Sequence, residues 1–500
     1  MKIAKACKEC RLGKRRCTPS EGGSCQQCLR RSSPCSFAQR VPARDGVRDL
    51  LPKAVDEVQL ELRTKLELTD LYIRLIHDKP HTLFHPPTLR QEVQNETLPD
   101  KVLYGVLAMA APRLSRKPEI ARLAPIFSTR ARDAIKKDLE SISLESIQAC
   151  VLAGNLCGID GENEAEALYF GIALRIASII HLPRSVASDS IILQEVRLRV
   201  WWSLYMIDRW SSAGSDLPRQ LQDTQEPLPM DETQFECLTS RTNITRPGLW
   251  GRMVQLASIF CEVQDLHRQH VAHEISDEVA DVRVQFISAE LDSFVASLPP
   301  EIRLTEENTR AWAHKGVGSA FVALHLGYHH YSTLLYFHYL DLQIDRTANT
   351  QMFAAKCKYH AAGFSDLLSM SQRIEGCDAV YFIVAHMAVV SSAALLHTLL
   401  FGGQDETEAT RSRLQSNFST LVELRKYWPA VEALTERLFV FQRACMWSAD
   451  PNTHRVDRWM VRFLLHHALP VPEKIAEEME GYTIRDKYAD DAMAILRETN

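Results

Sequence analysis

From about residue 67 onward, apolar residues recur at the three- and four-residue steps of amphipathic helices. No stretch alternates apolar and polar as a half-buried strand would, and no glycine-rich nucleotide loop interrupts the pattern. Ala165, Leu168, Tyr169, Ile172, Ile176, Ile179 and Ile180 fall on one helical face. Asn163 with Glu166 three residues on predicts a capping box at the start of that helix, and Pro183 stops it. A second helix is predicted over EVRLRVWWSLYMIDR, Glu195 to Arg209. Glu195 and Arg199 stand four apart with the acid first, the favourable order. Arg199 and Asp208 flank the paired Trp201 and Trp202, as a structural ion-pair network beside buried indoles would. The competing reading is a ligand pocket lined by Trp201, Tyr205 and Asp208. Val380 to Phe401 carries no Asp, Glu, Lys or Arg and is long enough to span a bilayer. It holds His386, Ser391, Ser392 and His397 and lacks a basic flank, so it predicts a buried central helix rather than a membrane span. The fold class expected is mostly α.

The first 66 residues differ. Pro42 and Pro52 interrupt helix, so residues 41–66 read as a linker between a small head (1–40) and a helical body (67–470). Val55, Val58 and Leu62 make a heptad-like start that Lys65 breaks. This leaves two readings open, a short coiled coil joining a homodimer and a connector that packs on the body. Residues 471–500 form an acidic end with interspersed Met479, Tyr482, Ile484, Tyr488, Met493, Ile495 and Leu496. That composition suits an activation segment that recruits coregulators, and Ala489, Met493 and Leu496 on one face suit a docked last helix.

Charge sharpens the division. The chain holds 58 Lys/Arg and 63 Asp/Glu, a net charge of −5. Residues 1–40 alone hold ten Lys/Arg and two Asp/Glu, a basic head on an acidic body. Such a head points at nucleic acid.

Six of the 13 cysteines lie in that head, in ACKECRLGKRRCTPSEGGSCQQCLRRSSPC. Cys7, Cys10, Cys17, Cys25, Cys28 and Cys35 repeat the spacing C-x2-C-x6-C twice. The C-x2-C pair grips a tetrahedral zinc from one turn of chain. Two zinc ions need eight ligand positions, which six thiolates supply only if two of them bridge. The repeat makes Cys7 and Cys25, the first of each copy, the natural bridges. Zinc one would take Cys7, Cys10, Cys17 and Cys25, and zinc two Cys25, Cys28, Cys35 and Cys7. Lys8, Arg11, Lys14, Arg15, Arg16, Arg30 and Arg31 surround this anionic core. A disulfide framework would need an oxidising compartment, and MKIAKACKEC has no apolar run of a signal peptide. The other seven cysteines are scattered without spacing and read as buried thiols.

These residues resemble the fungal binuclear zinc cluster domain of transcription factors, the pattern after the second cysteine standing as Cys10-Arg11-Leu12-Gly13-Lys14-Arg15-Arg16-Cys17. Gly13 stands where a basic residue is usual. Four stretches of the body resemble the fungal transcription factor regulatory domain, or middle homology region. They are Leu71 to Pro86, Ser146 to Ala149, Ala173 to Pro183, and Glu195 to Arg209. The resemblance implies a nuclear, sequence-specific regulator of transcription by RNA polymerase II that binds CGG-type triplets through a two-zinc cluster. It implies that Lys14 reads bases, while Arg11, Arg15, Arg16, Arg30 and Arg31 hold phosphates. Lysine donors match the O6 and N7 acceptors of guanine. The expected control is of a metabolic or secondary-metabolite pathway. The alternative is a ligand-responsive receptor whose helical domain binds a metabolite.

No enzymatic signature accompanies this. His267, His270 and His273 predict a surface helix, and His329 and His330 beside Tyr328 and Tyr331 predict aromatic packing. Neither makes a four-ligand metal set, and H-E-x-x-H, G-x-S-x-G and P-loop patterns are absent.

Overall fold

The computed structural model describes residues 10, 17–18, 25–31, 60–79, 81–113, 117–184, 187–238, 244–341, 344, 347–447, 456 and 458–469. They divide into two compact units, one within 1–61 and the other within 62–500. Cys7, Cys35, Lys8, Arg11, Lys14, Arg15, Arg16 and the acidic end 471–500 lie outside the described residues, as does most of the segment 41–66.

In the first unit Cys10 is helical, and the element whose range is described is one short helix, α1 (Gln26–Arg30). The second unit is helical, and no strand occurs among the described residues beyond an isolated bridge between His77 and His81. It opens with α2 (Leu62–Leu75), α3 (Pro86–Gln94), α4 (Asp100–Ala110) and α5 (Ala124–Lys137). Next come α6 (Leu144–Ile159), α7 (Asn163–Ile179), α8 (Ile191–Ser215), α9 (Leu249–Val271) and α10 (Asp277–Ala296). The series continues with α11 (Glu306–His314), α12 (Gly318–Tyr336), α13 (Ala348–Arg373) and α14 (Ile383–Phe401). It ends with α15 (Thr407–Arg425), α16 (Val431–Trp447) and α17 (Arg458–Leu465). Short polar side chains start many of these. Ser143, Ser190, Ser276, Thr305 and Thr347 each accept a backbone N–H of the first turn from an extended N-cap.

The apolar segment near residue 390 is the core helix α14. Every residue from Val384 to Leu400 is buried. Its length and composition would allow a membrane crossing, yet its serine pair is hydrogen-bonded by neighbouring helices. Asn417 of α15 donates to Ser391 and Ser392 at 3.1 Å each, and accepts from Ser365 of α13 at 2.9 Å. Ser391 donates onward to the Ala361 carbonyl at 2.9 Å. A serine pair in an otherwise apolar helix thus fixes the register of three helices.

Three sequence expectations are corrected here. The helix begins at Leu62, inside the predicted linker, and Lys65 pairs with Glu96 at 2.8 Å. At this end the segment packs on the body. No capping box forms at Asn163: Glu162 is the N-cap, and the Asn163 amide donates instead to the Ala468 carbonyl. The buried face of α7 keeps Tyr169 and Ile176 but is rotated toward Phe170, Ala173, Leu174 and Ala177, while Leu168 and Ile179 are 62% and 52% exposed. Gly154 decides this, because a Cβ there would collide with the Phe170 ring. The third correction concerns α9, where His267 and His270 are buried rather than on a surface face. His267 donates to the Leu334 carbonyl at 2.9 Å, which accounts for its imidazole.

Candidate metal centre

Cys10, Cys25 and Cys28 are buried together, with the half-buried Cys17 packed against them. One sulfur from each of the three lies within 4.8 Å of the others. The Cys10 and Cys25 sulfurs are 3.6 Å apart, far beyond the roughly 2.05 Å of a disulfide. Local backbone builds this arrangement. The Gln26 N–H donates to the Thr18 carbonyl at 2.9 Å and anchors the start of α1. The turn then aims the Cys28 N–H at Cys25 Sγ, 3.4 Å away. That hydrogen bond leads the effects pulling the Cys25 thiol down to about 6. A core made of sulfur alone offers no apolar filling, and its donor chemistry is that of a zinc–thiolate site. These residues fit a metal. Zinc held only by thiolates would be a closed structural site that supplies folding energy and no reaction.

The remaining described cysteines contrast with this cluster. Burial pushes Cys150, Cys261 and Cys377 up to about 11 and Cys157 up to about 12. They are inert core thiols, as their scatter predicted, except that Cys237 is exposed. Of the seven basic residues proposed for DNA, Arg30 and Arg31 are described, and both are exposed at the end of α1.

In the helical unit three of the four motif-bearing stretches meet around 81–85, and Ala173 to Pro183 is tied to the last of them. Gln148 donates to the Leu83 carbonyl at 2.6 Å. Ser203 and Thr82 exchange two hydrogen bonds of 3.0 and 3.1 Å. Arg197 reaches back to the Ile180 carbonyl at 3.5 Å and the Arg184 carbonyl at 2.8 Å. At the centre is Arg199, wholly buried, paired with Glu195 at 3.1 Å and donating to the Met230 carbonyl at 2.7 Å. Its guanidinium lies over the Phe235 ring at 4.1 Å. Glu232, pushed up to about 7 by burial, accepts the Leu249 and Trp250 N–H groups at the start of α9. The network is structural. Asp208 is spent on the Gln220 and Leu221 N–H groups, and Tyr205 donates to Asp223 at 2.8 Å. None of Trp201, Tyr205 and Asp208 lines the large cavity of the helical unit.

A cavity of about 520 Å³ opens elsewhere, between α6, α7, α8, α16 and residues 467–469. Phe170, Ile207, Trp210, Trp428 and Leu434 supply apolar walls, and Glu166 and Arg437 supply polar ones. Sequence reading missed it because its lining comes from seven separate segments with no shared motif.

Comparison with known proteins closes the question of kind. Residues 5–44 match the fungal Zn(2)-Cys(6) binuclear cluster domain, a two-zinc module, and residues 70–274 match the fungal specific transcription factor domain. The chain is similar to the Zn(2)-C6 fungal-type transcription factor FTF1c of Fusarium oxysporum f. sp. lycopersici, at 23% identity over 74% of this chain and 44% of that protein. It is also similar to an uncharacterized transcriptional regulatory protein of Schizosaccharomyces pombe, C530.11c, at 22% identity over 74% of this chain and 51% of that one. The match thus spans about half or less of these relatives' lengths. Both matched domains are those of transcription factors, not of enzymes. The chain thus joins a Zn(2)-Cys(6) binuclear cluster domain, a two-zinc module, to a fungal specific transcription factor domain.

Proposed function

We propose that this protein is a nuclear regulator of RNA polymerase II transcription that binds CGG-type triplets in duplex DNA and controls a metabolic or secondary-metabolite pathway. In this reading Cys7, Cys10, Cys17, Cys25, Cys28 and Cys35 hold the two zinc ions, with Cys7 and Cys25 shared. The observation that carries it is the Cys25 sulfur, buried against Cys10 from the first copy of the repeat and Cys28 from the second. A ligand serving both halves has to sit there. Lys14 would read guanine edges, and Lys8, Arg11, Arg15, Arg16, Arg30 and Arg31 would hold phosphates, which fix register without reading sequence. The helical unit would extend the regulatory domain from residue 67 to residue 470, since α14 is buried among helices on both sides of it in sequence. Homodimerisation through 41–61 and recruitment of coregulators by 471–500 complete the proposal.

Fluorescence anisotropy with zinc-loaded full chain, on duplexes carrying CGG triplets and on scrambled duplexes of equal length, tests it. A preference of ~10³-fold or more at fixed salt is expected of specific binding. Equal affinity for both duplexes overturns it.

A further inference from the structure

We propose that the cavity of the helical unit is a binding site for an apolar carboxylate, a molecule with one carboxylate on a hydrocarbon or aromatic body, anchored by Arg437. The volume, about 520 Å³, is that of a site for a drug-sized ligand. Its walls are mainly aromatic and aliphatic, from Phe170, Trp210, Phe382, Trp428, Leu434 and Val440. Such a lining excludes nucleotides and sugars, whose many polar groups would be left without partners.

Arg437 gives the site its sign. It is 8% exposed and lines the cavity. Its Nη1 donates to the Leu469 carbonyl at 2.7 Å and its Nη2 to the Phe463 carbonyl at 2.6 Å, with the guanidinium 4.6 Å from the Phe463 ring centroid. These contacts fix its orientation without neutralising it. Among the described residues no carboxylate comes within ion-pair distance. The other buried arginines differ: Arg199 has Glu195 at 3.1 Å, and Arg209 has Asp223 at 2.8 Å. Burial alone pulls Arg437 down to about 10, with no acid opposing it. The neighbouring imidazoles, His386 and His467, are held neutral by burial, and Arg437 depresses both further. Glu166 and Glu436 also line the cavity, but neither lies within ion-pair distance of Arg437, so a ligand carboxylate would supply the counter-ion that this buried cation lacks among the described residues. Glu166, also in the lining, does not compete for Arg437. Burial pushes it up to about 7, so a large fraction is the neutral acid at neutral pH, suited to a hydroxyl or carbonyl of the ligand.

The inference concerns the helical unit and is independent of the DNA reading, because the test contains no DNA. Trp210 and Trp428 stand in the walls, so their emission reports occupancy. The zinc-loaded full chain is titrated with dodecanoate and with 1-dodecanol, both kept below aggregation, and the melting temperature is followed in parallel. Dodecanoate is expected to bind about tenfold or more tightly than the alcohol, and Arg437→Gln to level the two while Arg437→Lys keeps the preference. Equal binding of acid and alcohol by the wild type overturns the proposal, as does silence of both emission and melting temperature. Should Arg437→Gln fail to fold, Ser211→Phe keeps the charge but fills the cavity. It must lose dodecanoate, and undiminished binding there also overturns the site.

Discussion

A single atom carries much of the case for the head. Cys25 Sγ accepts the Cys28 N–H and lies 3.6 Å from Cys10 Sγ, so Cys25→Ser removes a ligand from both zinc positions at once. Metal analysis of the variant should return less than one zinc per chain, and an undiminished two would exclude Cys25 as a shared ligand. Lys14→Ala and Arg30→Ala should separate reading from holding. The first should cut discrimination by ~1–3 kcal/mol. The second should weaken specific and random duplexes alike and flatten the salt dependence by about one phosphate. An unchanged specific-to-random ratio for Lys14→Ala would remove it as the base reader. In the helical unit Arg199 is the corresponding residue. Truncating it to Met leaves Glu195 buried with only the partly exposed Arg246 as a cation, and urea unfolding should show a loss of ~3–5 kcal/mol.

Elements succeed or fail on close approach. Helices α6 and α7 pack where Gly154 admits the Phe170 ring and Gly158 admits the Glu166 carboxyl, 2.6 Å from a Cβ built there. Gly154→Val should therefore force Phe170 aside and destabilise by ~1–3 kcal/mol, measured by urea unfolding. A neutral result would mean the helices separate freely at that point. The spacing from Ala165 to Ile180 shows the limits of periodicity. It promised an apolar stripe. In α7 the stripe is displaced because its neighbour offers glycines to one side of it, and a moment along one helix carries no record of the surface opposite.

At the scale of the molecule, the helical unit buries an unusual set of histidines. His267, His329 and His330 are held down to about 3 and His325, His360 and His467 to about 4, burial leading in every case. Each is neutral when folded and has an ordinary value near 6.5 when unfolded. Below that value the unfolded chain binds more protons, so stability is full above about pH 6.5 and falls as pH drops toward the folded values. Each such group forfeits about 1.4 kcal/mol per pH unit there. The midpoint of urea unfolding, followed by helical circular dichroism, should fall steeply between pH 6.5 and 5, where exposed carboxylates are still ionised. A flat midpoint across that window would show these imidazoles protonating without unfolding.

The sequence alone determined the kind of protein. Six cysteines at a repeated spacing within a basic segment specify their chemistry locally, because the ligands of a metal cluster come from a few turns of one chain. The helical class and the buried α14 were legible for a related reason: length and the absence of charge are properties of one segment. The Arg199 network was half legible, since Glu195 lies one turn away, while Thr82, Met230 and Phe235 arrive from distant positions. Tertiary structure decided the rest. It put His267 and His270 inside, set the face of α7, and left Arg437 without a counter-ion among the described residues, beside a cavity that α6, α7, α8 and α16 close together. Burial, and with it the charge state of an imidazole or guanidinium, depends on what packs from the other side. In a helical body that partner is usually a segment hundreds of residues away, such as the Ala468 carbonyl that takes the Asn163 amide from its predicted cap.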